Sequence, residues 1–187
     1  MLPKCKNAPT NRGGPEGTPP KRLRYAAPRY TTDMTQMENV RDFLAQKRFA
    51  FVGVSRHSKD FSRMLFREFQ TRNYEPVPVH PEAEEIEGAR CFAQLRDIQP
   101  PVDSVLLMTS PTVTNLLVGE CVEAGIKRVW FYRGASQGAL TASALEMCEA
   151  NGIRTIPGEC PFMFFDSTSW FHRFHGLVKK IVGAYPR

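Results

Sequence analysis

Residues 49–61 read FAFVGVSRHSKDF, and no other stretch of the chain sets so many groups suited to one chemistry so close together. An apolar run ends at Gly53-Val54. Ser55, Arg56 and Lys59 then occupy a short polar turn before a second patterned run opens at Phe61. The chemistry this order suits is anion binding. A glycine lets the chain turn tightly. Ser55 can offer an amide and a hydroxyl to a phosphate oxygen. A helix opening near 59–62 would add unpaired N–H groups and the positive end of its dipole. Arg56 and Lys59 add full positive charge. A plain βα turn also favours Gly and Ser, so the turn alone leaves phosphate binding and a merely structural loop as equal readings.

The next apolar run, YEPVPVHP at 74–81, narrows the ligand. In NAD-binding βαβ units the second strand ends on an acid that grips the ribose hydroxyls. Here that place holds Val79 and His80, followed by Pro81. The phosphate turn reads Gly-x-Ser instead of Gly-x-Gly-x-x-Gly. Both features disfavour NAD. A histidine near Arg56 suits a nucleotide with an additional ribose phosphate, and NADP and coenzyme A both qualify.

These groups need a scaffold that gathers them, and the patterning supplies one. A helix is predicted over 34–46, with Val40, Phe43 and Leu44 on one face. Strands are predicted at 49–54, 76–79, 104–108, 128–132 and 153–156. The helices between them are expected at 60–73, from Pro111 to about Gly125, and at 136–150; a turn with a short helix is expected over 82–98. The apolar stripe of the 60–73 helix is Phe61, Leu65, Phe66 and Phe69. A further amphipathic helix is expected over 169–182. Strict alternation of strand and helix implies a parallel sheet covered on both faces. The expected fold is therefore α/β: a three-layer Rossmann-like domain with a five-stranded parallel sheet. Ligands of such sheets lie beyond the carboxyl ends of the strands, where strand order reverses. That rim would carry Gly53–Lys59, His80-Pro81, Thr109–Pro111, Tyr132–Gly134 and Gly158–Pro161.

Composition removes other classes. The net charge of +6 over 187 residues suggests nucleic acid until it is located. Residues 1–32 hold seven Lys/Arg and one acid, leaving 18 of each sign in the remainder, so the basicity belongs to the N-terminal segment. That segment is rich in Pro and Gly and is expected to be disordered. The expected division is a basic tail over 1–34 and a domain over 35–187 that ends in the C-terminal helix. Nucleic acid is not an expected partner. No apolar run approaches the ~18–20 residues that span a bilayer. The five cysteines are odd in number and form no CxxC pair, as expected of reduced thiols in the cytoplasm. An organellar matrix would be the address if the basic tail were a transit peptide. The aromatic group Phe162, Phe164, Phe165, Trp170 and Phe171 reads as core or as a homodimer surface. His172 and His175 read as ordinary helix-face histidines, and Cys160 as a small loop residue without a base beside it in sequence.

Taken together, these blocks resemble the small stand-alone CoA-binding proteins, relatives of the CoA-binding domain in the succinyl-CoA synthetase alpha subunit. The resemblance spans about 37–165. It is carried by Gly53-Val54-Ser55, the Tyr74…Pro78-Val79-x-Pro81 block, Val129-Trp130 and Cys160-Pro161. It implies that Gly53 and Ser55 lie under the pyrophosphate and the 79–81 turn near the adenosine. Ser110-Pro111 would lie along the pantetheine arm, with Cys160-Pro161 near the end of the site. Four places depart from the family pattern. Ser62 stands for Gly, His80 for Asn, Tyr132-Arg133-Gly134 for Gln-x-Gly, and Phe162 for a basic residue. The function expected is binding of coenzyme A or an acyl-CoA, a small-molecule nucleotide ligand, without catalysis. Two alternatives compete with it. One is an enzyme, either an NADP-type oxidoreductase or an acyl transferase using Cys160. The other is a regulatory or interaction protein whose nucleotide pocket has drifted.

Overall fold

The computed structural model describes residues 35–133 and 138–165. The expected tail over 1–34, Gly134, the 169–182 helix, His172 and His175 lie outside the described residues. The elements run α1 (Gln36–Ala45), β1 (Arg48–Val52), α2 (Phe61–Thr71), β2 (Glu75–Val79), β3 (Glu85–Ile86), β4 (Ala89–Arg90), β5 (Ser104–Leu107), α3 (Pro111–Glu123), β6 (Arg128–Phe131), α4 (Ala142–Ala150) and β7 (Arg154–Pro157). Five strands form one parallel sheet in the order β2-β1-β5-β6-β7. The chain builds outward from β1 to β2, then crosses to β5 on the other side. Strand order therefore reverses between β1 and β5, the point at which sheets of this kind form a ligand crevice beyond their carboxyl ends.

Side-chain alternation sorts the core into two layers. Phe49, Phe51, Leu106, Trp130 and Ile156 pack with Val40 and Phe43 of α1 and Leu65, Phe66 and Phe69 of α2. Ala50, Val52, Val105, Leu107, Val129 and Phe131 pack with Leu117, Val118 and Cys121 of α3 and Ala144 and Cys148 of α4. One layer is aromatic: the Trp130 indole meets Phe43 edge-on at 5.2 Å, and its Nε1–H donates to the Glu159 carbonyl at 2.9 Å. Burial pushes the Cys148 thiol up to about 12 and raises Cys121 as well, as apolar surroundings should.

β2 contains Pro76 and Pro78, yet it is a strand. It lies at the sheet edge, and the N–H groups of alternate residues point the same way. The Glu75 N–H donates inward to Lys47, so the prolines' missing donors face outward, where no ladder needs them. Residues 82–98 hold the expected short helix, as a 3₁₀ turn at Leu95–Asp97, and add a small β3–β4 hairpin that was not expected. One boundary changes. Helix α4 begins at Ala142, not 136, because Thr141 caps it: its hydroxyl accepts the Ala144 N–H at 3.1 Å.

Candidate functional site

The close approach of β1 to β5 at this switch point depends on one glycine. Gly53 has φ +92°, and a Cβ built on it would lie 2.4 Å from the Met108 carbonyl oxygen and 3.2 Å from Thr109 Cγ2. Only a residue without a side chain lets the end of β1 pass this close to the end of β5. Val54 beyond it is fully buried, whereas Ser55 is half-buried and Arg56 and Lys59 are exposed. The turn therefore crosses from core to rim within three residues.

What holds the turn is largely α2. The Ser62 hydroxyl accepts the Ser55 N–H at 2.9 Å, and the Ser55 hydroxyl accepts the His57 N–H at 3.1 Å. Of the two groups that Ser55 was expected to offer a phosphate, the amide donates within the turn, while the hydroxyl accepts there and keeps its O–H as a donor. Arg63 donates to the carbonyls of Ser55 and Arg56, and Arg67 donates to that of Ser58. Both arginines meet one carboxylate oxygen of Glu87, on the β3–β4 hairpin, at 2.6 and 2.7 Å. Burial pulls the Glu87 carboxyl up, but the two guanidiniums outweigh it and hold it below the usual carboxylate range. Arg63, Arg67 and Glu87 are the residues that sequence reasoning missed. The i,i+4 spacing of the two arginines was visible; their shared partner, some twenty residues away, was not.

Helix ends at the rim differ in a way that bears on ligand binding. Thr35 caps α1 with a full capping box, and Thr141 caps α4. At α2 and α3, which flank the crevice, Asp60 and Ser110 occupy the N-cap positions but make no side-chain capping bond. Pro111 opens α3. Among the described residues, the N–H groups of Phe61, Ser62, Thr112 and Val113 therefore point out of their helices without a protein acceptor. Two helix dipoles converge on the same crevice, an arrangement that can hold an anion.

The other sequence-predicted residues ring this point. Val79 is buried at the end of β2, and Pro81 is exposed. His80 donates its N–H to the Phe92 carbonyl, and its Nδ1 accepts the Glu82 N–H at 3.1 Å, which tightens the 80–82 turn. Arg56 reaches across to that turn and pairs with Glu82 at 3.0 Å. At the far side, Tyr132 stacks on Phe61 with ring centroids 5.4 Å apart, and Phe162 meets Phe61 edge-on at 5.6 Å. Cys160 is half-buried beside Tyr132, and Pro161 is buried. Burial, with a contribution from Cys160, pushes the Tyr132 phenol up to about 12. Tyr132 and Phe162, two of the family departures, thus form one aromatic wall with the first residue of α2. Among the described residues, no group of three or more His, Cys, Asp or Glu could hold a metal ion, and no helix is long and apolar enough to cross a membrane.

Residues 47–166 match the family model described as the CoA binding domain. The chain is 28% identical over 114 residues to the uncharacterized protein YneT of Bacillus subtilis, covering 61% of this chain and 82% of that one. A conserved hypothetical protein from Pyrococcus furiosus matches with a TM-score of 0.56 at 28% identity, covering 60% of this chain and 94% of its own. A hypothetical protein from Pyrococcus horikoshii matches with a TM-score of 0.62 at 25% identity, over 69% and 88%.

Proposed function

This chain belongs to the CoA-binding domain family, and on that premise we propose that it binds coenzyme A or an acyl-CoA in the crevice between β1 and β5, without catalysing a reaction on it. The observation that carries the reading is the pair of uncapped helix ends, α2 and α3, on either side of the Gly53 turn. The pyrophosphate takes the N–H groups of Phe61, Ser62, Thr112 and Val113. The adenosine lies toward Val79, His80 and Pro81. The pantetheine arm runs past Ser110 and Pro111 toward Cys160 and Pro161, along the aromatic wall of Phe61, Tyr132 and Phe162. That wall offers apolar contact to the arm. In this reading the protein works in the cytoplasm, where unpaired cysteines stay reduced.

Calorimetric titration with CoA, NADP and NAD tests the reading. The expected result is a measurable heat with CoA and none with NAD, because β2 ends without the acid that an unphosphorylated ribose needs. Binding of NAD as tight as that of CoA would overturn it.

A further inference from the structure

Four basic residues surround the phosphate turn, and they do not play the same part. Arg63 and Arg67 are spent on Glu87 and on loop carbonyls. Lys59 is exposed and makes no ion pair among the described residues. Arg56 stands apart. It leaves the phosphate turn, spans the gap to the end of β2 and meets the Glu82 carboxylate at 3.0 Å. Both side chains remain largely exposed, at 64% and 66%. Such a pair is weak in water and easily exchanged for another partner. Glu82 is held at that spot by its own N–H donating to His80 Nδ1. The Arg56 guanidinium thus lies where a Rossmann-like unit meets the substituents of an adenosine ribose.

We infer that Arg56 reads the ribose phosphate of the bound nucleotide, with Glu82 as the internal carboxylate that the phosphate displaces. This rests on the binding reading given above and adds the group that sets its specificity. A phosphate monoester carries more charge than a carboxylate and matches a guanidinium fork with two parallel hydrogen bonds. A nucleotide without that phosphate has nothing to offer Arg56 and leaves the Arg56–Glu82 pair closed. A nucleotide that carries it trades one partner for a stronger one. The chemistry recognised is a ribose monophosphate ester on adenosine. It occurs as the 3′-phosphate of CoA and as the 2′-phosphate of NADP.

The test uses the full chain and compares dissociation constants for CoA and dephospho-CoA, with NADP and NAD as a second matched pair. The parent protein should prefer CoA over dephospho-CoA about tenfold. Arg56→Ala should bring that ratio near one by weakening CoA while leaving dephospho-CoA unchanged. Arg56→Lys should keep part of the ratio, since it keeps the charge but loses the fork. Glu82→Gln should raise the ratio by removing the competing carboxylate. A preference for NADP over NAD that also vanishes in Arg56→Ala assigns the same role with the 2′-phosphate as the source. Both positions are exposed, so the unliganded variants should melt with the parent. Equal binding of CoA and dephospho-CoA by the parent, or a ratio that Arg56→Ala leaves intact, overturns the inference and leaves CoA binding standing. Failure of every one of these nucleotides to bind would instead remove the binding reading and this inference with it.

Discussion

Single atoms decide the crevice. A methyl group at position 53 would collide with a carbonyl of the neighbouring strand and would sit on a backbone that side chains rarely adopt. Gly53→Ala should therefore cost more than about 3 kcal/mol in urea unfolding, a loss of fold before any loss of binding. The obstacle nearest such a group is the Met108 carbonyl oxygen. Ser62→Ala separates binding from folding more cleanly. It removes the acceptor of the Ser55 N–H, so it should lower stability by about 1 kcal/mol while making that amide available to a phosphate and tightening CoA binding. Weaker CoA binding in Ser62→Ala would place the Ser55 amide outside the ligand's reach. Tyr132 gives a pH signature. Its folded value, about 12, lies above its ordinary 10.0, so the folded state holds the proton longer. Stability from this group is complete below pH 10 and is lost as pH rises toward 12. Tyr132→Phe should flatten the alkaline limb of a stability–pH curve relative to the parent, and identical curves would contradict the burial argument. At this scale Gly53, Ser55 and Arg56 were legible as a turn between the first strand and its helix. The partners of Ser55 were not, because a side-chain hydrogen bond across seven residues leaves no mark in composition or period.

The elements explain why the turn holds its shape. Helix α2 supplies two arginines to the turn's carbonyls, and the β3–β4 hairpin supplies the carboxylate that neutralises both. Because Glu87 is held below its ordinary value of 4.5, its contribution is present above that pH and fades as pH falls through the lower folded value. Glu87→Gln should cost about 1–2 kcal/mol at neutral pH, lose that acid dependence and weaken CoA binding through a looser turn. Full retention of affinity would show that the brace does not serve the site. On the opposite side of the same layer, Asp42 of α1 meets Arg128 of β6 and Arg154 of β7. The strands were legible to within two residues because each is a short, nearly continuous apolar run. The β3–β4 hairpin was not legible, since two-residue strands are too short to show an alternation. The start of α4 was misplaced because Thr141, an ordinary cap residue, lies within a run that otherwise reads as helix.

The described residues form a three-layer α/β domain whose two core layers differ in character, aromatic under α1 and α2 and mainly aliphatic under α3 and α4. Strict alternation of apolar runs made this architecture readable, because few topologies satisfy parallel strands with short connections. The first described helix opens on a complete capping box, in which Thr35 and Glu38 satisfy each other's backbone N–H groups. A chain beginning at Thr35 should accordingly keep its melting temperature within a few degrees, and a large drop would show that residues 1–34 pack on the domain. In the proposed reading, CoA binds where α2 and α3 point toward the β1–β5 switch point. Amide hydrogen exchange with and without CoA tests it most directly. Protection should rise at residues 55–63 and 110–114, with Phe61, Ser62, Thr112 and Val113 at the centre, and should leave the opposite edge of the sheet, around Lys47, Asp103 and Lys127, unchanged. Protection confined to that opposite edge, or CoA binding without any change at the two helix ends, would contradict the account.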